Sequence, residues 1–377
     1  MRYTRRDIGR LALAAGAAGT ASRLFAAKPD SMFGGVQIGT ITYSFRALPS
    51  SAEQVLGYCL ECGISAIELM NNPAESYAGA PAGPGFGPGG FGPGGPGRGP
   101  GGPGGAPGRG PDVQVAMGGG QGRGTDAQGA PGGGQGRGRG GRAPLTPEQQ
   151  AARQKAAEEM KNWRLSVSMD KYKAFRKMYN DAGVSIYAFK LPPTMSMSDQ
   201  EYEYIWNVGE TLGANHITME LPGENDGELL QRVAEYAAKR KLRIAFHTHG
   251  QGGESGFAKA LAASPYTALN LDVGHYYGVN GVSPVPVILK YHDRIASLHL
   301  KDRKGPSSAG ENQGPGGGGP NMPWGQGETP LKEILQLMKK EKYPFPGSIE
   351  YEYNTPEGSD VLTEVKKCVQ FCKDALA

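Results

Sequence analysis

Three things are scarce in this 377-residue sequence: cysteine, long apolar runs and net charge. Four cysteines do not make a small disulfide-stapled scaffold of a chain this long. Past the amino terminus no apolar stretch reaches the roughly 18 residues of a membrane helix, so no second membrane segment is expected. The formal net charge of +4 is unevenly spread: residues 1 to 30 carry +4, residues 78 to 142 carry +4, and the remainder is −4. That mildly acidic remainder gives no reason in its charge to expect a nucleic acid or an anionic membrane as partner.

Helix-forming and core-filling residues are scarce in one place. Of the 65 positions from 78 to 142, 30 are glycine and 10 are proline. The glycines lack a period of three, which excludes collagen, and this composition cannot offset the entropy of folding. Residues 78 to 146 are therefore expected to be a disordered insertion rich in Gly, Pro and Arg. Its Gly-Arg-Gly-Arg-Gly-Gly-Arg run at 136 to 142 invites an RNA-binding reading, but the arginines are sparse and Phe86 and Phe91 are the only aromatics. A solvated spacer is the simpler expectation, and no nucleic acid is expected as a partner. Without this tract and the first 30 residues, 282 remain, enough for one barrel domain of about 250 residues.

At the amino terminus, Thr4-Arg5-Arg6-Asp7-Ile8-Gly9-Arg10 precedes a short, weakly apolar run from Leu11 to Ala18, and then Leu24-Phe25-Ala26-Ala27. Paired arginines ahead of a weak apolar segment with a small-residue end resemble a twin-arginine (Tat) export signal. Residues 1 to 30 are accordingly expected to be a signal peptide, with the Tat export machinery as partner and a mature protein in the periplasm or otherwise exported. An uncleaved amphipathic helix is the alternative.

Beyond residue 30, short runs rich in β-branched residues alternate with amphipathic helical stretches. The runs are 36–45, 65–70, 184–190, 216–221, 243–249, 268–273, 295–301 and 347–353. Eight strand-helix units imply parallel pairing and an α/β fold, a (β/α)8 TIM barrel. Residues 31–77 form its first part and 147–377 the remainder, so the insertion falls after strand 2, at the carboxyl-terminal mouth. Cys59 and Cys62 lie on the first helical pattern, Cys368 and Cys372 on the last. They read as small buried apolar residues; a disulfide between the two helices or a four-cysteine zinc site are the alternatives.

Catalytic groups in such barrels come from the carboxyl ends of strands. Strand 4 ends in Glu220, strand 5 in His247-Thr248-His249, strand 6 in Asp272-Val273-Gly274-His275, strand 7 in His299-Leu300-Lys301-Asp302-Arg303, and strand 8 in Glu350-Tyr351-Glu352. Five consecutive strands ending in carboxylates and imidazoles suit one divalent metal ion, Mn, Co, Zn or Mg. Such an ion could polarise a carbonyl while the remaining carboxylates move protons. His216 and His292 sit away from the strand ends and are expected to be structural.

These residues, with Ile38-Gly39-Thr40-Ile41-Thr42-Tyr43-Ser44-Phe45-Arg46 and Pro323-Trp324-Gly325-Gln326-Gly327-Glu328, resemble the xylose isomerase-like TIM barrels. That group, the sugar phosphate isomerase/epimerase barrels, also includes endonuclease IV, and the resemblance covers about 36 to 76 and 164 to 376. It implies metal ligands Asp272, His299 and Glu352, with Glu350 as runner-up, and substrate contacts at His275, Lys301 and Glu350. Strand 5 departs from the pattern: family epimerases carry a glutamate where this chain has His247. A metal-bound imidazole has no lone pair left to abstract a proton, so Glu220 becomes a candidate base or fourth ligand, and His249 a candidate base or substrate contact. The expected catalytic residues are thus Glu220, Glu352 and His249, with metal ligands His247, Asp272, His299 and Glu352.

The expectation is a metal-dependent isomerase or epimerase of a free, non-phosphorylated carbohydrate, acting through an enediolate-type proton transfer. A lyase or hydratase of 3-keto-glycosides at the same site is the alternative, and a non-catalytic carbohydrate-binding barrel a second. An endonuclease would need further histidines on strands 2 and 3, which end in Glu68-Leu69-Met70-Asn71 and Phe189-Lys190.

Overall fold

The computed structural model describes residues 28–82, 146–249, 253–308 and 317–377. The expected export signal up to residue 27, and the Gly/Pro-rich tract from 83 to 145, lie outside them.

Eight strands form the barrel: β1 Val36–Ile41, β2 Ala66–Met70, β3 Ser185–Lys190, β4 His216–Glu220, β5 Arg243–His247, β6 Thr267–Asp272, β7 Ile295–Leu300 and β8 Gly347–Ile349. Each runs parallel to the next, and β8 returns to β1 with Ile349 opposite Thr40, so the sheet closes as expected from the eight runs. Around it lie α1 Ala52–Glu61, α2 Asn71–Ala78, α3 Pro147–Ser166, α4 Met169–Asp181, α5 Asp199–Leu212, α6 Gly227–Arg240, α7 Glu254–Ala262, α8 Val273–Asn280, α9 Val285–Tyr291, α10 Leu331–Glu341 and α11 Val361–Leu376. No helix among the described residues is long and apolar enough to cross a membrane.

Local sequence accounts for the helix ends. Ser51, Thr146 and Ser198 each form a capping box with a Gln or Glu three residues on. Thr146-Pro147 thereby starts α3 immediately after the undescribed tract. Gly213 closes α5 in the left-handed region that glycine enters without a side-chain penalty.

Three expected boundaries shift. The run 36–45 leaves the sheet at Thr42 and becomes a 3-10 turn through Phe45. The strand-5 run stops at His247 instead of His249, and the strand-8 run stops at Ile349 instead of Tyr353. In each case the polar residues past the end leave the ladder and stand at the mouth. Helices α2, α7 and α8 add to those the periodicity suggests; Ala78, placed by composition in the insertion, is the buried last residue of α2.

Most of the barrel strands alternate in character. Ile67, Leu69, Ile217, Phe246, Leu269, Leu271, Leu298, Leu300 and Ile349 are fully buried in the main core with the helices. Their neighbours Glu68, Thr218, His247, Asn270, Asp272, Ser297 and His299 are also buried but polar, and line the barrel interior. Burying so many polar groups requires partners, and they have them. Glu68 accepts from Thr218 at 2.7 Å and from Asn270 at 3.0 Å, and Asn270 also donates to Ser297 at 2.8 Å. All four cysteines are buried and free, in keeping with the apolar reading and not with a disulfide, and burial pushes the Cys62 thiol up to about 12. His216 bonds Ser297 at 3.1 Å inside the barrel, and exposed His292 stacks on Tyr343.

Candidate metal centre

β5, β6, β7 and β8 aim His247, Asp272, His299 and Glu350 at one point above the polar layer. Each offers a ligand atom, all four atoms lie within 4.8 Å of one another, and all four residues are buried. The tautomer of His247 follows from its neighbours. Asn270 gives its amide N–H to Glu68, which turns its carbonyl oxygen to His247 Nδ1 at 2.9 Å. Nδ1 therefore carries the proton, and Nε2 presents a lone pair to the centre. Asp272 Oδ2 is buried without a hydrogen bond of acceptable geometry. An imidazole lone pair, a buried carboxylate oxygen whose ion-pair partner is Lys301 at 3.0 Å, and two further donors fit a divalent cation of the Mn, Co, Zn or Mg type.

His299 lies between two carboxylates, with Nδ1 2.7 Å from Glu350 and Nε2 2.8 Å from Glu68. Burial would lower its pKa, but the two carboxylates outweigh that and raise it to about 10. Burial likewise opposes ionisation of Glu68, which His299 and Lys190 nevertheless hold at about 2. Asp272 responds the other way: burial lifts it to about 6 against the pull of Lys301.

The structure brings Glu350, not Glu352, into the four-residue group. Glu350 still donates its backbone N–H to Leu300, and its carboxylate reaches back to His299 Nδ1 at 2.7 Å. Glu352 lies one alternation further out. It takes Lys301 Nζ at 2.6 Å and Asn321 Nδ2 at 3.4 Å, and His275 Nε2 is 3.9 Å away. Glu350, expected as a substrate contact, thus stands among the four convergent residues, and Glu352, expected among the ligands, stands outside that group. The Lys301 ammonium also lies 3.0 Å from both Asp272 and Glu350, beside the centre.

Glu220 and His249 stand on the opposite rim, 3.2 Å apart and both partly open to solvent. Lys190 holds the other Glu220 oxygen at 3.0 Å. Burial would raise Glu220, but Lys190 and the imidazoles of His247 and His249 hold it at about 2, so it is ionised at neutral pH. His247, His249 and His275 form a second convergent group, their ligand atoms again within 4.8 Å.

Glu68, Lys190, Asn270 and Arg303 are parts of the site that sequence reasoning gave no role. Glu68 had a visible signal: it is the one charge in Ala-Ile-Glu-Leu-Met, a strand otherwise apolar. Arg303 was seen only as the end of a motif. It is fully buried, bonded to Gly317 and Gly319 carbonyls at 2.7 and 2.9 Å. The distal Gly-Gln-Gly supports this region, because Gly325 and Gly327 donate their N–H groups to buried Asp302 at 2.8 and 2.9 Å.

Comparison with known proteins agrees with this architecture. Residues 224–373 match the family described as xylose isomerase-like TIM barrel. Among solved structures, the probable 3-DHS dehydratase AsbF of Bacillus anthracis superposes with a TM-score of 0.52 at 14% identity, covering 89% of this chain and 98% of that one. A sugar phosphate isomerase/epimerase of Parabacteroides distasonis gives 0.49 at 14% identity over 89% and 95%. An L-ribulose 3-epimerase gives 0.48 at 11% over 90% and 95%. At 14% identity the likeness to the first of these concerns the fold alone. No curated protein matches the sequence. Residues 224–373, which supply Asp272, His299, Lys301 and Glu350 to the barrel mouth, are therefore similar to the xylose isomerase-like TIM barrel family.

Proposed function

We propose that the protein is a metal-dependent isomerase or epimerase of a free carbohydrate, working by proton transfer next to a carbonyl. The observation that carries this reading is the convergence of His247, Asp272, His299 and Glu350 beside an ionised Glu220 at the open rim. The four would hold one divalent ion, and that ion would polarise a carbonyl or hydroxyl oxygen. Glu220 takes the proton from carbon, oriented by Lys190 and paired with His249. Lys301 and His275 meet substrate oxygens, and Glu352 holds Lys301 in place.

Charge pairing supports a substrate without phosphate. Lys190 is matched by Glu220, Lys301 by three carboxylates, and Arg303 by backbone carbonyls. Among the described residues at the mouth, these cations are already satisfied. An exported location, proposed from the paired arginines near the amino terminus, is consistent with a free sugar.

The His249–Glu220 pair also favours a second reading. An imidazole there could protonate a departing glycosidic oxygen, giving a lyase or hydratase of 3-keto-glycosides at the same centre. Incubation with Mn2+ or Co2+ and a panel of ketoses and 3-keto-glycosides in D2O, followed by NMR, separates the two. Deuterium at carbon with an inverted or isomerised product is expected. Release of the aglycone supports the second reading, and saturable binding without turnover defeats both.

A further inference from the structure

The two candidate metal groups share His247, and His247 has one lone pair to give because Asn270 occupies its Nδ1. The structure therefore has to choose between them, and the choice lies with His275. Arg303 Nη1 is 2.6 Å from His275 Nδ1. A guanidinium only donates, so Nδ1 must be the acceptor, and in the neutral ring the proton is on Nε2. The surroundings of Nε2 agree: Asp272 Oδ2 is 3.8 Å away and Glu352 Oε2 3.9 Å away, both carboxylate oxygens.

Arg303 has little freedom to do otherwise. Its Nε and one Nη are engaged by the carbonyls of Gly317 and Gly319. On α8, a Cβ at Gly278 would come within 2.8 Å of Arg303 Nε, and one at Gly274 within 2.2 Å of Lys301 Cγ. Two glycines one helical turn apart thus let α8 lie against both cationic side chains. His275 is carried on the same turn, its backbone N–H capping onto Asp272 at 2.7 Å.

We propose that Arg303 is a positioning residue that fixes His275 as its Nε2–H tautomer, so that His275 presents a hydrogen-bond donor to the centre and the metal is confined to His247, Asp272, His299 and Glu350. The inference builds on the metal-centre reading above, but the tautomer itself does not depend on it. A donor at this place recognises a lone-pair oxygen, as in a hydroxyl or carbonyl of a polyhydroxylated substrate. The same residue withdraws the lone pair that a three-histidine ion site would need.

The test is nitrogen-15 NMR of histidine-labelled full-length protein, without metal and with one equivalent of Cd2+, with the His275 signals identified by their loss in His275→Gln. A protonated, pyrrole-type Nε2 on His275 is expected, uncoupled to cadmium, while His247 Nε2 couples to it. Arg303→Leu is expected to move His275 toward the Nδ1–H form, and Arg303→Lys to retain Nε2–H. A protonated Nδ1 in the wild type, cadmium coupling at His275, or an unchanged tautomer in a folded Arg303→Leu protein would overturn the proposal. The wild-type spectrum decides even where the variant does not fold. Failure of Cd2+ to bind at all would count against the metal-centre reading and leave the tautomer to be judged from the metal-free spectrum.

Discussion

Glu68 on β2 reaches across the barrel to His299 on β7, and the two meet at 2.8 Å although 231 residues separate them. The remaining bonds of Glu68, to Thr218 and Asn270, place one carboxylate at the hub of the polar interior. A carboxylate behind a metal-binding imidazole fixes the ring and raises its basicity. Glu68→Gln should therefore weaken divalent-metal binding by about 10- to 100-fold while leaving the four ligands intact. Titration with Mn2+ by calorimetry measures this, with circular dichroism to confirm the fold.

Proton release should accompany metal binding. With its pKa raised to about 10, His299 carries a proton at neutral pH that a metal must displace. Calorimetry in buffers of different ionisation heat should find about one proton released near pH 7.5, and affinity rising about tenfold per pH unit up to about pH 9. Asp272, lifted to about 6, should steepen the loss of affinity below that pH. The sign for stability runs oppositely: His299 stabilises the metal-free fold below its unfolded pKa near 6.5, and that contribution is lost as pH rises through about 10.

Most of this site was legible in the sequence for a simple reason. Parallel strands of one barrel end at one face, so polar residues at the ends of consecutive apolar runs must converge. That logic finds His247, Asp272, His299 and Lys301 without coordinates. It fails where a choice depends on height above the sheet: Glu350 and Glu352 share parity, and only the structure tells that Glu350 is the one whose carboxylate reaches His299. It also fails for Glu68, which lies inside a strand and acts on a residue across the barrel, and for Arg303, whose role depends on a loop wrapping back to supply carbonyls.

Two glycines offer a matched contrast. A Cβ at Gly274 would meet Lys301 Cγ at 2.2 Å and the Lys301 carbonyl at 2.5 Å, whereas one at Gly57 within α1 would meet nothing within 4 Å. Gly274→Ala should cost about 1–3 kcal/mol and disturb metal binding, as overpacking does. Gly57→Ala should stabilise by about 0.5–1 kcal/mol. Urea unfolding of the two variants compares them directly.

A largely shielded ion pair ties α3, the helix after the undescribed tract, to the barrel flank. Arg164 binds Glu75 through Nε at 2.8 Å and Nη2 at 3.2 Å, and Tyr204 donates to the same carboxylate at 3.0 Å. Arg164→Met should destabilise by about 3–5 kcal/mol, because it leaves a buried carboxylate without its cation. Adding Glu75→Gln to that variant should recover part of the loss in the same unfolding assay.

The central claim is that one divalent ion sits among His247, Asp272, His299 and Glu350. Anomalous diffraction from crystals of the Mn2+-loaded protein tests it most directly. A single peak within bonding distance of His247 Nε2 and of side-chain atoms of Asp272, His299 and Glu350 is the expected result. A peak held by His249 and His275, or no peak with Lys301 still bridging Asp272 and Glu350, would contradict it.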